Sequence, residues 1–155
     1  MESIRIISAD KAIEELVEIG DDRRELDAER KERLRRFPNS VALEGAFSEY
    51  YFASRWCWQN LGACDGECCE SDSEYPGCPL VLATERIENI GGRQRKKYSR
   101  IDAHVHEGSW TNYWLGKTDY DYGFCEFYFA NDADRDRFIA AVPTFTWGEN
   151  YDWRS

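Results

Sequence analysis

LVLATERIENIGGRQRKKYSRIDAHVHEGSWTNYWLGKTDYDYGFCEFYF, residues 80–129, decides the fold. It contains four short runs rich in β-branched and aromatic residues, separated by turn residues. Leu80–Ile87 reads as a strand and Asn89-Ile90-Gly91-Gly92 as the turn after it. Lys97–His106 alternates: Ile101, Ala103 and Val105 fall on one side, Tyr98, Arg100, Asp102, His104 and His106 on the other. Trp110–Gly116 reads as a third strand, residues 117–121 as a loop, and Tyr122–Phe129 as a fourth strand.

Helical signals flank this block. Downstream, Asn131 is placed to cap a helix, with Asp134 three positions on. Phe138, Ile139 and Val142 give that helix an apolar face, and Pro143 ends it. Upstream, Ile4 and Ile6 alternate briefly, which suggests a short strand or an extended lead-in. Ser8 or Asp10 then caps a helix carrying Ile13, Leu16 and Val17, which stops at Gly20. A second helix is expected over Asp22–Arg36. It is nearly all charge, with i,i+4 pairs such as Asp27–Lys31 and Glu32–Arg36 and a thin stripe of Leu26, Leu34 and Phe37. Such a helix lies on the surface or is held by a partner. A third helix is expected over Val41–Asn60, apolar almost all round and therefore central. The order of elements implies an α+β class: N-terminal helices, then a four-stranded antiparallel meander with the helices on one face, and a C-terminal helix.

The chain has 155 residues, one domain's worth. Within it, residues 1–61 form a helical part, 62–79 a cysteine-rich loop, 80–142 the sheet with its helix, and 143–155 an aromatic tail. With 42% hydrophobic and 32% charged residues, the composition supports a folded core. No run of 18 apolar residues and no signal-peptide pattern is present, so the expected compartment is the reducing cytoplasm.

Thirty acids face twenty bases, for a net charge of −10. That balance argues against a general nucleic-acid binder and against a protein resting on anionic membrane. The charge is uneven. Residues 41–92 carry a net −7, whereas 93–118 carry +4, concentrated in Arg93, Arg95, Lys96, Lys97 and Arg100.

Five of six cysteines lie within 22 residues, as C57-x6-C64-x3-C68-C69-x8-C78. In a cytoplasmic chain such clustering points to metal, because four thiolates satisfy tetrahedral zinc. The expected set is Cys57, Cys64, Cys78 and one of Cys68 or Cys69. It would form a structural zinc knuckle with no position open for substrate. Disulfides, free thiols and an iron–sulfur cluster are the alternatives. Cys125 reads as a small core residue.

The run IDAHVH, residues 101–106, resembles the first-strand metal motif of amidohydrolases. That family requires a large (β/α)₈ barrel with further ligands on later strands, and this chain is too short to build one. The residues still admit an alternative function: a small metal-dependent hydrolase using the Asp102, His104 and His106 face. No nucleophile elbow, phosphate-binding loop or dinucleotide fingerprint occurs.

The preferred functional expectation is a small acidic binding or inhibitor protein without catalysis. It would dock on a basic protein surface, such as one that otherwise holds nucleic acid, in a role of the phage counter-defence or immunity-protein type. The candidate contacts are Asp65, Glu67, Glu70, Asp72 and Glu74 of the loop, Asp119 and Asp121, and Trp147, Tyr151 and Trp153 of the tail. A third reading makes the basic stretch a nucleic-acid module, with Tyr98, Trp110 and Trp114 as stacking groups.

Overall fold

The computed structural model describes residues 4–46, 49–62, 64–67, 83–100, 105–119 and 122–145. Among them the order is β1 (Arg5–Ile7), α1 (Ala9–Glu18), α2 (Arg23–Arg36), β2 (Asn39–Ala46), α3 (Tyr50–Leu61), β3 (Gly66–Glu67), β4 (Ala83–Ile90), β5 (Arg93–Arg100), β6 (Val105–His106), β7 (Trp110–Asp119), β8 (Tyr122–Phe129) and α4 (Asp132–Ala141), then a 3₁₀ turn over Val142–Thr144. Four strands form one antiparallel sheet in the order β1-β2-β8-β7. The class is α+β, with a C-terminal helix.

The sheet carries helices on both faces, not on one. Val41 and Leu43 of β2, Trp110 of β7, and Cys125, Phe127 and Phe129 of β8 pack against α3 and α4. Phe138 of α4 sits at the centre of this layer, its ring against those of Phe127 (4.8 Å), Phe129 (5.1 Å), Phe145 (5.5 Å) and Trp56 (5.8 Å). The opposite face packs Phe124 and Leu115 against Ala12, Ile13 and Leu16 of α1 and Leu26 of α2.

Three expectations need correction. Residues 41–46 are strand, so the expected Val41–Asn60 helix begins only at Tyr50, and the helical part holds β2 as well as the short first strand. The cause is the sandwiching of β2. Val41 through Gly45 are all buried, so no in–out alternation marks the strand. Gly45 is required where β2 passes β1, since a Cβ there would lie 2.8 Å from Ile4 Cγ1. The sheet is also not a meander of the four expected strands. Only β7 and β8 belong to it. β4 and β5 form a separate two-stranded hairpin, turning at Gly91 and Gly92 with φ of 59° and 79°. Residues 97–106 are divided between two sheets: Lys97–Arg100 belong to β5, paired with β4, whereas Val105–His106 pairs with Gly66–Glu67; residues 101–104 lie outside the described residues.

Other readings hold closely. Tyr122–Phe129 is a strand with the expected bounds. Asn131 caps α4 as expected, accepting from the Asp134 N–H at 2.8 Å; Asp22, expected as the first residue of the second helix, is instead its cap and accepts from the Arg24 N–H at 2.9 Å.

Candidate functional site: an acidic cleft between α2 and an edge strand

α2 is a poor candidate for apolar docking, because Leu26 is its only fully buried residue. Buried charge holds it instead. Glu126, on the middle of β8, is 0% exposed. Arg30 of α2 donates to both its carboxylate oxygens, from Nε at 2.9 and 3.1 Å and from Nη2 at 3.1 Å. The Tyr128 hydroxyl donates to the same carboxylate. Burial works against the Arg30 charge, but the Glu126 carboxylate more than offsets it and leaves the guanidinium firmly protonated. One turn on, Arg33 lies over the ring of Tyr113 on β7, 3.7 Å from its centroid, and 5.2 Å from that of Tyr128. Its Nε and Nη2 are buried and make no hydrogen bond, so ring faces supply much of its compensation.

This anchorage sets a cleft of about 210 Å³ between α2 and β7. Gly20 (φ 115°) ends α1, and the Asp21 N–H closes the turn by donating to Leu16 C=O at 3.0 Å. The chain then enters α2 with Asp21, Glu25 and Glu29 at four-residue spacing, on one side of the turn and helix. These acids and Asp22 line the cleft with Leu26, Tyr113 and Leu115. Tyr113 donates its hydroxyl to Glu29 Oε2 at 3.0 Å. That bond, then burial and the Glu29 charge, pushes the phenol up and keeps it a donor. β7 comes close enough that a Cβ on Gly116 would lie 3.2 Å from Asp21 Oδ2.

Among the described residues, no lysine or arginine forms an ion pair with Asp21, Asp22, Glu25 or Glu29. The carboxylates are strung along the cleft, and no group of three acidic, thiol or imidazole residues among those described is placed to hold a metal ion.

Comparison with known families, curated proteins and solved structures found no match. The reading therefore stands on the site's own chemistry.

Those residues singled out from sequence that are described do not line the cleft. Asp65 is engaged internally: its carboxylate takes Arg36 Nη2 at 2.6 Å and the Gly108 N–H at 3.3 Å, and its own N–H donates to Trp110 C=O at 2.7 Å. Asp119 ends β7 and is exposed. Glu67 lies on β3. Glu70, Asp72, Glu74, Asp121, Trp147, Tyr151 and Trp153 lie outside the described residues, as do Cys68, Cys69, Cys78, Asp102 and His104.

Cys57 is wholly buried in the aromatic core, and Cys64 packs against the same cluster. Burial, then nearby Asp134, Cys125 and Cys64, pushes the Cys57 thiol up. Cys125 is the buried core residue expected of it. Of the suggested stacking groups, Trp110 is a core residue and Trp114 packs against the core partly buried. Trp110 is 1% exposed and donates Nε1–H to Gly62 C=O at 2.9 Å, and Trp114 meets Tyr50 edge-on at 5.5 Å.

The cleft itself was missed. Its signal was present in the four-residue spacing of Asp21, Glu25 and Glu29, but the opposite wall comes from β7, 84 residues beyond Glu29 at Tyr113.

Proposed function

We propose that this chain is a small acidic binding protein, without catalysis of its own, that docks on a basic surface of another protein. The observation that carries the reading is the α2–β7 cleft: four carboxylates outside any described ion pair, around a floor of Leu26, Leu115 and Tyr113. Carboxylates left unpaired along a groove attract a cationic segment, and an apolar, aromatic floor converts steering into retained contact. The net charge of −10 extends that attraction over about a Debye length. A partner whose basic surface otherwise holds nucleic acid would be blocked by such a contact. A cytoplasmic setting belongs to the same reading; the structural fact beside it is that no described helix is long and apolar enough to cross a membrane.

A structural zinc accompanies this proposal. Cys57 in α3 and Cys64 just beyond it would supply two thiolates and Cys78 with one of Cys68 or Cys69 the others, fastening the loop to the core. Elemental analysis tests it: about one zinc per chain, lost in Cys64→Ser, supports the set, and a metal-free protein removes it.

The docking role is tested by quantitative affinity capture from native cells with the full chain and with the triple variant Asp21→Asn, Glu25→Gln, Glu29→Gln. The expected result is a basic protein retained by the native chain, depleted by the variant and released as salt rises. An identical captured set for both chains overturns the role.

A further inference from the structure

The volume of the cleft restricts what it takes. Small-molecule sites usually enclose roughly 300–1,000 Å³. A space of about 210 Å³ suits one long side chain instead. The disposition of charge restricts it further. The acids are spaced along α2, and no three of the described acidic, thiol or imidazole groups are placed to hold a metal ion. An ammonium is a compact point charge on a flexible stem and gains little from carboxylates set apart. A guanidinium is a flat fork with five donors that spans two acceptors and stacks on an aromatic ring. The same wall already uses both modes: Arg30 forks onto Glu126, and Arg33 lies over Tyr113. The Tyr113 ring remains 37% exposed. Leu26 and Leu115 are nearly buried and close the base of the cleft, so the exposed part of Tyr113 is the apolar surface that the methylenes of an incoming side chain meet.

Resting on the docking role above, we infer that the cleft is an arginine pocket, which takes one arginine side chain of the partner protein with its guanidinium between Glu25 and Glu29 and its stem along Tyr113. Lysine at the same position of the partner is the weaker ligand.

The test uses the full chain and two short peptides of equal charge, one with three arginines spaced by serine and glycine, the other with lysines in their place. Affinities are measured by calorimetry at about 0.02 M salt, where charge interactions persist over roughly 20 Å before they are screened. The arginine peptide is expected to bind about tenfold more tightly, the worth of one charge-assisted hydrogen bond. Tyr113→Leu should shrink that preference to about twofold as the ring contact is lost. Glu25→Gln, which disturbs no described internal contact, should weaken both peptides. Equal affinity for the two peptides, with both still sensitive to Glu25→Gln, overturns the arginine pocket and leaves the docking role standing. Binding of neither peptide to the native chain overturns both. Binding indifferent to Glu25→Gln places the contact elsewhere and also overturns the inference.

Discussion

Replacing Arg30 by methionine tests how α2, and with it one wall of the cleft, is held. The substitution keeps an unbranched side chain of similar reach and good helix propensity, so the helix itself loses little. What changes is Glu126. Its carboxylate is 0% exposed and would keep only the Tyr128 hydroxyl. Stranding a buried charge by removing its partner costs about 3–5 kcal/mol. The Arg30 side chain is 24% exposed, so some water reaches the vacated side, and the low end, about 3 kcal/mol, is expected. For a chain of this length that corresponds to a Tm lower by roughly 6–12 °C. Urea unfolding followed by tryptophan fluorescence measures it, with an unchanged m-value confirming that the same surface is exposed. The double variant Arg30→Met, Glu126→Leu should regain about 2 kcal/mol, because an apolar pair substitutes tolerably for a buried ionic one. Should Arg30→Met stay within about 1 kcal/mol of the native chain, the buried pair is not what holds α2.

Further expectations follow from the core and from titration. Phe138→Ala, which empties the centre of four ring contacts, should cost about 3–5 kcal/mol by the same urea assay. Gly123→Ala should destabilise more than Gly45→Ala, because a Cβ at 123 would meet the backbone of Gly116 (2.3 Å) and Lys117 (2.6 Å), whereas at 45 it first meets the side chain of Ile4. Burial of Glu49 raises its carboxyl above the ordinary 4.5. The folded state then binds its proton more tightly than the unfolded state, so this group's contribution to stability falls as pH rises from about 4.5 through the folded value. Stability-versus-pH curves of the native chain and Glu49→Gln should therefore diverge over that interval, to the disadvantage of the native chain at higher pH; parallel curves would contradict it. Cys125, buried with a raised thiol, should resist iodoacetamide near neutral pH until urea unfolds the chain, as mapped by mass spectrometry.

The parts of the fold legible in sequence are those whose signals are local. The Asn131 cap, the charged run of α2 and the aromatic strand at 122–129 each announce themselves within a few residues. β2 does not, because a strand covered by helices on both faces buries consecutive residues and loses the period-two pattern. Its pairing with β8, Asn39 opposite Phe129 through Ala46 opposite Tyr122, joins segments more than 70 residues apart, and nothing in either segment names the other. The site divides the same way. The acidic face of α2 is written in its spacing. The role of Tyr113 as the facing wall depends on β7 lying at the sheet edge, and the inward turn of Arg30 and Arg33 depends on Glu126 and Tyr128 lying beneath them. A helix of alternating charges looks solvated from end to end until its buried partners are known.

The most direct test of the docking role is a backbone amide NMR titration of the full chain with the arginine peptide, first at low and then at high salt. The account expects shifts centred on Asp21–Glu29 and Tyr113–Leu115, fading as salt is added. Shifts that centre on the β4–β5 hairpin or around Asp65, or that persist unchanged at high salt, would contradict it.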